Sequence, residues 1–277
     1  MNAGDDARTA GSERGSGEAD RDGSPGRYAF LSDVHGNLPA LEAVLADVDG
    51  RDEVDGVYHL GDLVGYAPWP NEVVELLRER AIPGVAGNYD STTATRYEHC
   101  GCRYEDPEQE ALSHQSYAWT LEHVSAETRR RLAALPFRMD LRPAGGHASG
   151  SKIVLVHGAP TLNTLYWAED RSDDFCRKMA ERAGLSAGDA ILFGHTHVPW
   201  TRAVDGVRFV NTGSVGRPKD GDPRAGYVLL APPGSEGGED WAVEHVRVPY
   251  DVERASRGIE ESGLPDAFAG HLREGRG

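Results

Sequence analysis

An α/β fold is predicted by three features of this chain. Apolar runs too short for helices alternate with amphipathic stretches in the first ordered third, and each run ends in a glycine-flanked polar block. Further on, strand-like runs are separated by glycine and proline turns instead of helices, which suggests antiparallel hairpins following a parallel beginning.

The first run, Tyr28-Ala29-Phe30-Leu31, stops at Ser32-Asp33 and reads as a buried strand ending in a loop. Asn37 then reads as a helix cap, with Leu38, Leu41, Leu45 and Val48 on one face and Asp49-Gly50 as the stop. Val57 to Leu60 is the next strand, closed by Gly61-Asp62. A second amphipathic helix follows from Asn71 to Arg80, and Ile82 to Ala86 reads as a third strand running into Gly87-Asn88-Tyr89-Asp90. The β-α-β-α-β order predicts parallel strands joined by right-handed crossovers. From Ser91 to Pro136 the pattern turns helical and polar, an expected helical insertion at about residues 91–136. Strands are expected again at Ile153 to Val156, Ile191 to Phe193, Val207 to Val210, Tyr227 to Ala231 and Trp241 to Val248. One or two helices broken at Leu264-Pro265 close the chain.

The 277 residues suffice for one large domain with a substantial core. Asn2 to Arg27 contains no Val, Ile, Leu, Phe, Trp or Tyr, so a disordered tail is expected over residues 1–26 and an ordered domain over 27–273. That segment lacks the apolar core of a secretory signal, and no run approaches the roughly 20 apolar residues of a membrane span. A formal net charge of -16 argues against duplex nucleic acid or an anionic membrane as partner. It does not exclude a phosphate substrate, because bound cations invert the local field. Three cysteines, Cys100, Cys102 and Cys176, suit a reducing, cytoplasmic compartment better than a disulfide framework. A lone Cys100-Gly101-Cys102 is weak ground for a metal or redox role. Oligomeric state is left open, a homo-oligomer included.

The polar blocks carry the chemistry. Asp33-Val34-His35, Gly61-Asp62, Gly87-Asn88, His157-Gly158 and Gly194-His195-Thr196-His197 supply two Asp, one Asn and four His, each at the end of an apolar run. Open α/β sheets assemble ligand sites at the carboxyl ends of their strands. Either triplet alone would be an ordinary surface loop. All five together point to two adjacent divalent metals. Imidazole with carboxylate suits Mn, Fe, Zn, Co or Ni better than Mg or Ca, and a set without thiolate is unlike a structural zinc site.

These blocks resemble the calcineurin-like metallophosphoesterase superfamily over about residues 27 to 272. Ser32-Asp33-Val34-His35-Gly36-Asn37, Gly61-Asp62-Leu63-Val64-Gly65-Tyr66 and Asn211-Thr212-Gly213-Ser214-Val215-Gly216 resemble its small bacterial and archaeal phosphodiesterases, the YfcE/MJ0912-like branch. The resemblance implies a four-layer α/β/β/α sandwich of two mixed sheets flanked by helices. It implies one metal on Asp33, His35, Asp62 and His197, and a second on Asp62, Asn88, His157 and His195, with Asp62 bridging. Manganese is expected first, with Fe, Zn, Ni or Co as alternatives. The implied reaction is attack on a small phosphodiester by a metal-bridging hydroxide.

The proton for the leaving alcohol comes, in most of the superfamily, from a His following the Asn and preceding Asp or Glu. Here Tyr89 stands there, followed by Asp90. A phenol titrates near 10 and donates a proton less readily than imidazolium. Tyr89 and Asp90 are therefore the expected catalytic pair, Tyr89 acting as weak acid or phosphate ligand. His59, His99, His114 or His123 could stand in for the missing imidazole, or catalysis could be lost. Asn88 and Arg217 are the expected substrate contacts, with Lys219 in the same turn. Trp119, Tyr166 and Trp167 could stack a base, although packing is the simpler role. Gly61-Asp62-Leu63-Val64-Gly65-Tyr66 lacks the phosphate-gripping Arg of protein Ser/Thr phosphatases. Two other readings stand beside a phosphodiesterase: a diadenosine-polyphosphate hydrolase, and a non-catalytic metal-binding scaffold like the retromer subunit Vps29.

Overall fold

The computed structural model describes residues 26–51, 54–103, 106–143, 151–234, 238 and 240–277. The expected tail over residues 1–26 lies, Gly26 apart, outside them.

The expected α/β/β/α layering is present. One sheet carries Arg27–Leu31 (β1) beside Val54–His59 (β2) in parallel. On its other side β1 pairs antiparallel with Ala225–Ala231 (β8), and β8 with Ala242–Val248 (β9), giving the order β2-β1-β8-β9. The second sheet has five strands: Arg138–Leu141 (β3), Ile153–Val156 (β4), Ala190–Phe193 (β5), Trp200–Val204 (β6) and Val207–Asn211 (β7), in the order β3-β4-β5-β7-β6. Its interior pairs, β4-β5 and β5-β7, are parallel, and its outer pairs antiparallel.

The two-residue period of each strand divides the core. Tyr28 and Phe30, Val228 and Leu230, Ile153 and Leu155, Ala190 and Leu192 meet between the sheets. Their neighbours Ala29, Leu31, Tyr227 and Leu229 face outward against the helices Leu38–Asp49 (α1), Pro70–Glu79 (α2), Val252–Ser262 (α7) and Ala267–Glu274 (α8). On the far side Val154, Val156, Ile191 and Phe193 pack on Asp173–Ala183 (α6) and on Trp167. Both faces of β4 and β5 are buried, which is why they read as unbroken apolar runs.

Three helices lie between α2 and β3: Asn88–Thr95 (α3), Pro107–His123 (α4) and Ala126–Ala133 (α5). They join the core cluster outside the first sheet through Tyr89, Tyr117 and Leu132.

One expected strand is corrected. Ile82 to Ala86 makes a single parallel bridge, Gly84 to His59, and no ladder. The main chain of His59 donates to Pro83 O and accepts from Val85 N on either side of it. Pro83 has no N–H, Ile82 N is taken by Leu77 O, and Ala86 N turns to Pro136 O, so the pairing cannot lengthen. The pattern also missed β3, β6 and α6. Among the described residues no helix is long and apolar enough to cross a membrane.

Candidate metal centre

All seven expected ligands converge where the strand ends of the two sheets meet. The loop after β1 is zipped to the loop after β2, with Asp33 N on Gly61 O at 3.0 Å, His35 N on Asp62 O at 2.9 Å and Gly36 N on Leu63 O at 2.8 Å. The second sheet is stitched on through Val215 N to Ser32 O and Gly216 N to Asp33 O. Two glycines permit this closeness. A Cβ on Gly87 would lie 2.0 Å from Asp62 Oδ1, and one on Gly194 would lie 2.0 Å from Ser32 Oγ.

The backbone is strained at these positions. Asp33, His35, Asp62, His195 and His197 have φ of 53°, 49°, 52°, 67° and 61°, a left-handed region non-glycine residues seldom occupy. Such strain, of order 1–3 kcal/mol per residue, persists where surrounding contacts enforce it and clusters at functional sites.

The side chains form two trios, Asp33-His35-His197 and Asp62-His157-His195, each with ligand atoms within 4.8 Å of one another and all six residues buried. Asp62 Oδ2 also lies 3.7 Å from His35 Nε2, between the trios. Asn88 joins through Oδ1, 3.1 Å from His157 Nε2, while its amide nitrogen donates to Cys100 O and Cys102 Sγ.

Hydrogen bonds fix which ring atoms face inward. Val64 O, Leu60 O and Arg217 O can only accept, so the facing Nδ1 atoms of His35, His157 and His197 must donate, at 3.0, 2.8 and 2.7 Å. Each ring then aims Nε2 at the centre, the arrangement by which an outer partner orients a metal-bound imidazole. His35 Nε2 and His197 Nε2 face each other at 3.1 Å. Burial lowers the His35 pKa to about 3 and holds His197 well below the usual value, so both rings are neutral and two lone pairs are opposed. Asp33 Oδ1 and His195 Nε2 are buried and have no hydrogen-bond partner. A donor set of opposed lone pairs and orphaned acceptors fits divalent cations, which would convert each repulsion into coordination.

Charge is distributed unevenly. Burial opposes a proton on His157, but the adjacent Asp62 carboxylate more than reverses this and raises its pKa to about 10. Asp62 itself is held below the ordinary carboxylate range: burial works against ionisation and is outweighed by His157. Burial raises Asp33.

The expected catalytic pair sits beside this centre. The Tyr89 ring packs edge-on to His35, with centroids 5.5 Å apart, and its hydroxyl is 3.2 Å from Ser113 Oγ on α4. Asp90 accepts Leu63 N and Gly87 N, each at 2.9 Å, one on each carboxylate oxygen. His59, His99, His114 and His123 line neither the small pocket at the centre nor the larger cleft beside it. Trp167 is core, stacked on Phe193, and Trp119 lies against His123, so packing accounts for both.

Arg217 is buried, its guanidinium carbon 4.1 Å from the centroid of the Tyr66 ring, and its Nε has no partner. With Lys219 and Tyr166 it lines both the pocket and a cleft of about 560 Å³ that opens from it. Tyr166 covers His195 at a centroid distance of 4.4 Å. The motifs did not reveal Cys102, which lines the pocket, or Arg103 and Arg171, which line the cleft. Cys102 carried a weak signal in its C-x-C pair. The two arginines stand in loops without a pattern and carried none.

Known proteins agree with this geometry. A family profile described as the calcineurin-like phosphoesterase superfamily domain matches residues 27–232. The uncharacterized protein MJ0912 of Methanocaldococcus jannaschii is 30% identical over 271 residues, covering 90% of this chain and 98% of that one. Phosphodiesterase YfcE of Escherichia coli is 26% identical over 214 residues, covering 74% and 86%. A metallophosphoesterase crystal structure from Sphaerobacter thermophilus superimposes with a TM-score of 0.68 at 30% identity, over 91% of this chain and 99% of the other. The hypothetical protein PH1004 of Pyrococcus horikoshii shares the fold with a TM-score of 0.72 at 24% identity, over 90% and 98%. The chain belongs to the calcineurin-like phosphoesterase superfamily.

Proposed function

We propose that the protein is a dinuclear metal-dependent phosphodiesterase acting on a small soluble ester, with manganese as the first candidate metal. The observation that carries this reading is the pair of buried trios, in which His35 Nε2 and His197 Nε2 oppose each other and Asp33 Oδ1 and His195 Nε2 have no hydrogen-bond partner. Asp33, His35 and His197 would hold one cation, and His157, His195 and Asn88 the other, with Asp62 shared. When bound, such a pair supplies Lewis acidity to the phosphoryl oxygens and makes water acidic enough to react near neutral pH.

The remaining tasks fall to the chain's own groups. Val64, Leu60 and Arg217 carbonyls keep three imidazoles in the tautomer that presents Nε2. Asp90 is a positioning residue: with both oxygens occupied by main-chain N–H groups, it locks the Asp62 loop to the Asn88 turn. Arg217 has a guanidinium fixed against Tyr66, and Lys219 stands beside it at the pocket, so the two offer positive charge to the non-bridging and departing oxygens. Tyr89 and Tyr166 wall the site and limit water. The three cysteines are free thiols, as a reducing cytoplasm would keep them.

Hydrolysis of bis-p-nitrophenyl phosphate with added manganese tests the proposal. Asp62→Ala and His157→Ala proteins should lose it by several orders of magnitude while staying folded. Turnover that survives either substitution, or wild-type protein inert with every candidate metal, overturns the reading.

A further inference from the structure

Among the described residues Arg103, Arg171, Arg217 and Lys219 all line the cleft that opens from the metal pocket. None of them forms an ion pair with another described residue, although the chain as a whole carries a net charge of -16. Elsewhere surface arginines find carboxylates readily: Arg177 reaches Asp174 and Asp205, and Arg273 reaches Glu253 and Glu260. Asp106, the one acidic side chain among the described residues lining the cleft, caps α4 by accepting Glu108 N. Three guanidinium groups gathered in one concavity of an acidic protein, with Lys219 beside them, focus a positive field there.

Two further features give this field an object. Arg217 is 4% exposed with Nε unpartnered, so a residue lining the cavity carries an unsatisfied buried donor. Tyr166 is 37% exposed, lies over His195 and lines both cavities, so the cleft adjoins the metal pocket. Its volume of about 560 Å³ is that of a small-molecule site, far larger than one phosphate needs.

We propose that this cleft is a second anion subsite, holding a phosphate group of the substrate other than the one hydrolysed. The substrate class is then a phosphodiester with a further phosphate on one arm. Arg103 and Arg171 grip that phosphate at the outer part of the cleft, while Arg217 and Lys219 span the distance back to the scissile one. The inference rests on the phosphodiesterase reading of the metal centre and adds to it the chemistry of the arm.

Two nitrophenyl esters that differ only in the extra phosphate test it. Thymidine 5′-(p-nitrophenyl phosphate) is compared with the same ester bearing a 3′-phosphate, on wild-type protein and on the Arg103→Gln/Arg171→Gln double variant. Charge-assisted hydrogen bonds from two arginines should favour the phosphorylated ester by about tenfold or more in kcat/KM, mainly through KM. The double variant should bring that ratio close to one. Equal kcat/KM for the two esters in the wild type, or a preference that survives in the variant, overturns the proposal. If neither ester is hydrolysed, the phosphodiesterase reading falls, and calorimetry then decides the subsite alone. Thymidine 3′,5′-bisphosphate binding well above thymidine 5′-phosphate, with the advantage gone in the variant, supports it; equal affinities refute it.

Discussion

His35 and His197, 162 residues apart in sequence, present Nε2 to Nε2 at 3.1 Å with each Nδ1 held by a main-chain carbonyl. Two neutral imidazoles held in this way are arranged to share a cation, so metal binding should stabilise the fold. Chelated protein should therefore melt well below protein supplied with manganese. A ligand at about 100 times its dissociation constant contributes about 2.7 kcal/mol, or roughly 5–10 °C for a domain of this size. Differential scanning calorimetry with and without chelator reads this directly. His35→Ala removes one of the two opposed nitrogens, so it should raise the stability of the chelated protein relative to its effect on the loaded one. Equal losses in both states would show that His35 does not hold the cation.

Asp90 joins Leu63 N and Gly87 N across 27 and 3 residues of sequence, each of its carboxylate oxygens accepting one main-chain N–H. Burial, with Asp62 close by, raises its pKa to about 7. In Asp90→Asn the amide nitrogen must face one of the two N–H groups, leaving a buried donor unsatisfied at about 1–3 kcal/mol. The variant should lose stability of that order and bind metal more weakly, because the Asp62 loop and the Asn88 turn come apart. Unchanged metal affinity, measured by competition with a colorimetric chelator, would show that the link does not position the site.

Much of this site was legible because its residues carry two signals at once. The Asp33-His35 block, Asp62, His157 and the His195-His197 pair each follow an apolar strand and adjoin a glycine, and Asn88 adjoins Gly87 after an apolar run, two signals that a strand end meeting a close neighbour needs together. The strand at Ile82 to Ala86 failed for the opposite reason. Its apolar content was right, but whether Ala86 N pairs with a strand or with Pro136 O is decided by a partner 50 residues away. β3 and β6 are outer strands with half-exposed residues and little apolar alternation, so tertiary pairing makes them strands more than their composition does. The α6 face, Cys176, Met179, Ala180 and Ala183, does show helical spacing, but with small residues in place of the large ones of α1. Arg103 and Arg171 could not have been foreseen, since no pattern links two loops 68 residues apart.

His59 offers a test of acid stability that involves no expected ligand. It is buried, its Nδ1 has no partner, and burial lowers its pKa to about 4. An unfolded chain takes up a proton here below about pH 6.5, while the native state refuses it until about pH 4. Stability contributed by this position is thus complete above 6.5 and lost as the pH falls through that window. At pH 4.5 the loss is about 2–3 kcal/mol. His59→Leu keeps an apolar shape without a titrating group, so it should lose that much less stability than wild type between pH 7 and pH 4.5 in urea titrations. Parallel losses in the two proteins would show that His59 opens to solvent before it titrates.

Tyr89 bears on which esters the protein can cleave. Its hydroxyl meets Ser113 Oγ, which in turn meets the Tyr66 hydroxyl at 3.0 Å, and its ring lies over Gly65, where a Cβ would come within 2.6 Å of it. That phenol is tied to α4, and no other histidine among the described residues lines the pocket besides the expected ligands. On the proposed phosphodiesterase reading, the leaving oxygen would therefore depart without an imidazolium at the Tyr89 position to protonate it. Rates should fall steeply as the pKa of the leaving alcohol rises, with nitrophenyl esters cleaved far faster than alkyl esters. Tyr89→His puts a smaller ring on the same turn and restores a donor that titrates near neutral pH. General acid catalysis contributes about 10²–10⁴-fold, so alkyl esters should gain up to that amount while nitrophenyl esters, whose leaving groups need no proton, change little. A linear free-energy series of aryl and alkyl methyl phosphates measures both slopes. A shallow slope in the wild type would mean that a proton reaches the leaving oxygen by another route, with Lys219 or a water held by Arg217 as the nearest sources.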